Sequence, residues 1–187
     1  MFLFAGLGNP TENYANTRHN IGFKVIDALS IRFEASRISK PQFFGDLYKA
    51  ENTLFLKPTT YMNNSGKSVA AVASFYKPRE IVVIHDDIAI PFGSLRIKRG
   101  GSSGGHNGLK SIDTYIGADY IRVRLGIGPL KAGQDAADFV LSNFSKEESG
   151  GVLELVDYAV HVCCELLEKT LDEASAQYTR KKGSGNV

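Results

Sequence analysis

Residues 6–20 read G-L-G-N-P-T-E-N-Y-A-N-T-R-H-N, and the fold turns on what stands either side of them. Before them lies a short apolar run, Phe2, Leu3, Phe4 and Ala5, with the length and content of a strand. After them Ile21, Val25 and Leu29 recur at helical spacing, with Phe23, Ile26 and Phe33 beside them. A strand end, a Gly/Pro turn and a helix start in succession are the usual place for a ligand site in α/β proteins. Gly6 and Gly8 are expected to let the backbone turn, and Thr17 to cap the helix. Asn9, Tyr14, Arg18, His19 and Asn20 supply polar chemistry there.

Outward from this stretch, strands and helices alternate. The opening helix is expected over roughly 20–36, followed by a hairpin of Gln42–Ala50 and Thr53–Lys57. The loop K-P-T-T-Y-M-N-N-S-G-K-S leads to a helix carrying Val69, Val72, Ala73 and Tyr76, capped by Asn64 or Ser65 and stopped by Pro78. Ile81-Val82-Val83-Ile84 suits a strand buried on both faces, expected to end at His85-Asp86-Asp87. Leu95–Lys98 is a basic strand, G-G-S-S-G-G-H-N-G a loop, and Leu109–Ile116 a short helix. Tyr120–Gly126 alternates as a further strand, and a short helix falls at Ala136–Leu141. Ser145 and Glu148 form a capping-box pattern before a long helix with apolar positions from 152 to 171. The tail from about residue 178 is polar, basic and expected to be flexible. These elements predict an α/β fold with a mixed sheet in one domain spanning 1–187.

The composition of the 187 residues, 43% hydrophobic and 22% charged, is ordinary for a soluble globular protein. Cys163 and Cys164 are neighbours in an apolar helical pattern, which suits buried thiols in a reducing cytoplasm and gives no metal spacing. There is neither an apolar run of membrane-spanning length nor a basic leader before a cleavable stretch. A cytoplasmic location is therefore expected. The net charge of +2 proves no nucleic-acid partner, but its distribution is suggestive. No acidic residue lies between Ile88 and Ile112, whereas Arg96, Lys98, Arg99 and Lys110 do, and on a strand Arg96 and Lys98 share one face.

Three polar clusters thus sit at strand-to-loop junctions: 9–20, 61–65 with 85–87, and 100–108. Nucleotide motifs fail. The dinucleotide fingerprint has Thr11 at its third glycine, and the phosphate loop suggested by Gly66-Lys67-Ser68 has Tyr61 where its first glycine belongs. His19, His85, His106, Asp86 and Asp87 are metal-ligand types, yet no pair has a diagnostic spacing. An acid–base site needs fewer assumptions. Histidine is the usual base near neutral pH, and Asp86 can accept the other ring N–H of His19 and fix its tautomer. Without a nucleophile elbow or a reactive-cysteine signature, a water nucleophile is simplest. Asn9, Asn63 and Asn107 offer donor and acceptor together, which suits a peptide-like amide or a held water. His161 reads as packing or surface.

These residues resemble the bacterial peptidyl-tRNA hydrolase family. The likeness runs through G-L-G-N-P-T-E-N-Y-A-N-T-R-H-N-I-G-F, K-P-T-T-Y-M-N-N-S-G-K-S-V, V-V-I-H-D-D-I-A-I-P-F-G, G-G-S-S-G-G-H-N-G-L-K-S-I and R-V-R-L-G-I-G-P, in the family's order. The resemblance implies hydrolysis of the ester between a peptide and the 3′ end of tRNA, without metal or cofactor. It implies His19 as the catalytic base and Asp86 as its partner. Asn9, Met62, Asn63 and Asn107 would surround the peptide and the attacking water, with Tyr14 near the tRNA 3′ end. Arg96 and Lys98 stand at positions that bind the tRNA 5′-phosphate, and Arg124 at another basic tRNA-binding position. The implied molecule is a monomeric α/β globule with a twisted mixed sheet and a cleft bordered by its C-terminal helices. It departs from the family's pattern at Ser102-Ser103, Ala89 and Asn64.

Overall fold

The structure is a computed structural model that describes residues 1–179. Seven strands form one mixed sheet: β1 (Phe2–Gly6), β2 (Ser36–Arg37), β3 (Gly45–Ala50), β4 (Thr53–Pro58), β5 (Glu80–Pro91), β6 (Leu95–Arg99) and β7 (Ile121–Gly128). Their spatial order is β2-β3-β4-β1-β5-β7-β6. The four central strands, β4, β1, β5 and β7, run parallel, and β2, β3 and β6 are antiparallel additions at the edges. The helices are α1 (Ile21–Arg32), α2 (Ser65–Tyr76), α3 (Asn107–Ile116), α4 (Ala136–Leu141), α5 (Ser149–Glu168) and α6 (Leu171–Tyr178).

Strand alternation divides the core in two. Phe4, Val82, Ile84 and Val123 share a core with α1, α5 and α6 through Val25, Leu29, Leu155, Ala159 and Ala174. Leu3, Ala5 and Val83 face α2 and α3 through Val69, Val72, Leu109 and Ile112. With both faces covered, the central strands read as continuous apolar runs. Among the described residues, no helix is long and apolar enough to cross a membrane.

The start of α1 lies directly on the sheet. A Cβ on Gly6 would come within 2.2 Å of the carbonyl oxygen of Gly22, and one on Gly22 within 2.5 Å of the oxygen of Ile84. Gly6 and Gly8 are not among the positive-φ glycines, so close packing and not turning explains them; a Cβ on Gly8 would meet the Phe23 ring. This contact seats the short 3-10 turn Arg18–Asn20, just ahead of α1, over the ends of the parallel strands.

Several boundaries differ from the sequence expectations. β5 runs past His85-Asp86-Asp87 to Pro91, with a register shift against β7 between Asp87 and Pro91. Glycine in β7 permits it, since a Cβ on Gly126 would lie 2.1 Å from the oxygen of Pro91. Thr17 occupies an N-cap position, but its hydroxyl donates to the carbonyl of Tyr14. Ser65 likewise donates to the carbonyl of Met62, and neither it nor Asn64 caps α2 through its side chain. The long C-terminal helix breaks after Glu168 and restarts at a capping box of Thr170 and Glu173. Tyr178 belongs to that last helix, not to a flexible tail: it is buried, and its hydroxyl donates to Glu165 at 2.9 Å. The remainder of the expected tail, 180–187, lies outside the described residues. Of the thiols, Cys163 is buried and Cys164 only half-buried.

Candidate active site

His19 and Asp86 meet as expected. Nδ1 of the His19 ring lies 2.9 Å from each carboxylate oxygen of Asp86, and the two residues are 7% and 1% exposed. An ionised carboxylate only accepts, so Nδ1 carries the proton and Nε2 keeps its lone pair. Burial alone would raise the Asp86 carboxyl, but the facing His19 and His106 hold it well below the usual carboxylate range.

His106 is the member that sequence reasoning placed only among possible metal ligands. It occupies the N-cap of α3, where its Nδ1 accepts the backbone N–H groups of Gly108 at 3.1 Å and Leu109 at 3.4 Å. Those bonds require a lone pair at Nδ1, so the proton sits on Nε2, which donates to Asp86 Oδ1 at 2.9 Å. Asp86 therefore receives an N–H from each of two imidazoles whose rings stand 4.9 Å apart. His85, next along β5, turns away: its Nδ1 donates to the backbone oxygen of Asp86 at 2.7 Å. Burial, then the neighbouring His106, push its pKa down to about 3.

Among the described residues, His19, Asp86 and His106 form the group whose ligand atoms come within 4.8 Å of one another. The donor set opposes a metal there. An ion at Nε2 of His106 would drive its proton to Nδ1, against the two N–H groups that open α3.

The asparagines divide by exposure. Asn9 is buried, and its backbone exchanges two 2.8 Å bonds with the Asn20 amide. Its own Oδ1 accepts the N–H of Met62 at 2.8 Å, which leaves the Asn9 NH2 as the end able to donate elsewhere. Met62 is buried beneath the site, its sulfur against Gly108, where a Cβ would approach to 2.5 Å. Asn63, on the turn Met62–Asn64, and Asn107, the first residue of α3, are both exposed. Tyr14 is half-buried and meets the exposed Tyr61 edge-on at 6.3 Å. Tyr61 holds a positive φ of 60°, as Thr11 does at 80°, and backbone held there by a non-glycine residue is strained.

A cleft of about 460 Å³ extends from His19, His85 and His106 past Asn107 to Lys98, Arg122 and Arg124. The glycine loop forms one wall, and Ala136, Ala137 and Val140 of α4 another. Of the C-terminal helices, α4 is the one that borders it. Arg96 shares the outward face of β6 with Lys98 but is exposed and stands outside the cleft lining. Arg122 was missed from sequence. Only 1% exposed, it donates to the carbonyls of Ser102 at 2.6 Å and Gly101 at 2.7 Å, tying the glycine loop to β7. Lys98 lies against Gly101, and burial, then Arg124 and Arg122, lower its pKa.

A second group, whose contacts the sequence did not show, braces the histidine. Arg18 sits between the rings of Phe139 and Phe144, 4.6 and 4.9 Å from their centres, and its Nη1 donates to Glu148 at 2.9 Å. Its backbone N–H reaches the carbonyl of Ser142 at 3.0 Å. The turn that carries His19 is thereby fastened to the segment on either side of α4's end.

Comparison with known proteins agrees across the whole chain. The family model described as peptidyl-tRNA hydrolase matches residues 3–185. The peptidyl-tRNA hydrolase of Campylobacter curvus is 52% identical over 183 residues, 98% of this chain and 99% of that protein. That of Sulfurovum sp. is 51% identical over 187 residues, 99% of each. A crystal structure of peptidyl-tRNA hydrolase from Acinetobacter baumannii superposes with a TM-score of 0.89 at 32% identity, covering 97% of this chain and 96% of that one.

Proposed function

The chain belongs to the peptidyl-tRNA hydrolase family, and from that premise we propose that it cleaves the ester between a peptide and the 3′ end of tRNA with His19 as base and water as nucleophile. The observation that carries the reading is the pair of 2.9 Å contacts between Asp86 and Nδ1 of His19. With Nδ1–H committed to Asp86, Nε2 takes a proton from water as the oxygen attacks the ester carbonyl. The tetrahedral intermediate then collapses by breaking the bond to the ribose oxygen. The proton on Nε2 passes to that oxygen, giving a tRNA hydroxyl and a peptide carboxylic acid that releases its remaining proton to solvent. The atoms balance with water as the only co-reactant, and the proposed mechanism routes no step through a metal or cofactor.

Asn9, Asn63 and Asn107 serve the peptide amides, the water and the developing oxyanion, because an uncharged amide can donate and accept. Met62 supports this wall from below, and Tyr14 meets the tRNA 3′ end. Lys98 and Arg124 face the acceptor-stem 5′-phosphate, with Arg96 adding to the field from outside the cleft. The protein works in the cytoplasm as a monomer, its 187 residues acting as one domain. Incubation with N-acetyl-aminoacyl-tRNA in excess chelator tests this directly. Release of free tRNA is the expected result; binding without release would leave an RNA-binding protein, and loss of turnover to chelator would point to a metal-dependent esterase.

A further inference from the structure

Arg124 does not enter the cleft as a loose cation. Its Nε–H donates to Oδ2 of Asp87 at 2.9 Å, while Oδ1 of the same carboxylate accepts the backbone N–H of Ala89 at 2.9 Å. Asp87 is thus fixed at one end to its own backbone, at the register shift in β5, and at the other to the guanidinium. The two side chains are only 15% and 20% exposed. A guanidinium has five N–H donors in a rigid plane, and one bonded through Nε still presents both terminal NH2 groups, the geometry that suits a phosphate.

The surroundings call for an anion. Lys98 pairs across the strands with Arg122, and Arg96 with Arg124. Leu95, Ile97, Val123 and Leu125 take the core face of the same two strands, so the four basic side chains share the other. We propose that Asp87 is a positioning residue for phosphate recognition, holding Arg124 by its Nε so that the terminal NH2 groups, together with Lys98, meet the 5′-phosphate of the tRNA. This rests on the reading of Lys98 and Arg124 as phosphate-binding residues.

The proposal has a sign that simple charge arithmetic reverses. Removing a carboxylate beside an anion site makes the site more positive and should tighten every RNA. Removing a residue that aims a bidentate donor should weaken only an RNA that carries the phosphate. The test measures kcat/KM for wild type, Asp87→Ala and Asp87→Asn on N-acetyl-aminoacyl-tRNA, with the 5′-monophosphate and after its removal to the 5′-hydroxyl. Wild type should prefer the phosphorylated RNA. In Asp87→Ala that preference should shrink about tenfold, the scale of one charge-assisted contact. Asp87→Asn is nearly isosteric and has one acceptor oxygen for two donors, so it should fall between. A wild-type enzyme indifferent to the phosphate would overturn the phosphate site itself. A wild-type preference that Asp87→Ala keeps or enlarges would overturn the positioning role alone.

Discussion

Nδ1 of His19 is within 2.9 Å of both carboxylate oxygens of Asp86, so one ring nitrogen is committed before any substrate arrives and Nε2 alone remains for chemistry. Replacing His19 with alanine removes the proposed base and leaves the cleft's cations in place. Turnover of N-acetyl-aminoacyl-tRNA should fall by on the order of a thousandfold, while tRNA affinity and the melting temperature change little. Substantial activity in His19→Ala would refute the assignment.

Asp86→Asn offers Nδ1 an NH2 as readily as an oxygen and so admits the tautomer with its proton on Nε2. kcat should drop by roughly a hundredfold to ten-thousandfold with KM little altered. A variant that loses only substrate affinity would show that Asp86 acts on binding instead.

His106→Ala removes one of Asp86's two donors and the N-cap of α3. It should cost about 1 kcal/mol in stability and lower kcat by roughly tenfold, less than either preceding variant. Steady-state kinetics beside thermal unfolding would check both effects, and an unchanged kcat would confine His106 to the cap.

His85 makes stability pH-dependent. The unfolded chain takes up this proton near the ordinary value of 6.5, and the native state only near 3. Between those values the unfolded state binds more protons, so the contribution of neutral His85 is complete above about 6.5 and is lost as the pH falls toward 3. His85→Phe cannot titrate. Urea unfolding at pH 7 and pH 4.5 should show wild type losing roughly 2–3 kcal/mol more than the variant across that interval. Equal losses would count against a neutral His85.

Lys98 and Arg96 should separate in salt titrations. Lys98 lines the cleft and Arg96 does not. Lys98→Ala should reduce the slope of log affinity against log salt by about one, and Arg96→Ala by clearly less. The reverse order would move the phosphate contact to the outer edge of β6.

What could be read from the sequence was what depends on pattern. The apolar run of Phe2–Ala5, the β-branched run at 81–84 and the short helix Ala136–Leu141 are local signals, and the structure repeats them. The ordered blocks also brought His19 and Asp86 forward as a pair. The rest depends on contacts that no spacing encodes. The link from His106 to Asp86 exists because a histidine, an uncommon cap, turns its Nε2 back toward β5. Arg122 stands two residues from Arg124 in R-V-R, but only three dimensions show it spent on loop carbonyls. The polar His85-Asp86-Asp87 read as the end of β5, and the strand continues to Pro91 only where glycines of β7 make room. T-L-D-E at 170–173 is the same capping pattern as S-K-E-E at 145–148, and it marks the break that a continuous apolar stripe concealed.

The aromatic clamp on Arg18 bears on the order in which the chain is made. The turn that carries His19 is synthesised well before the rings and carboxylate that hold it, which come from Phe139, Phe144 and Glu148. β7, which lies between β5 and the edge strand β6, is not finished until residue 128. A growing copy still joined to its own tRNA therefore has no braced site until residue 148 has been added and has left the ribosome. An enzyme that cuts chains from tRNA is, by this arrangement, unfinished while it is itself such a chain short of that residue.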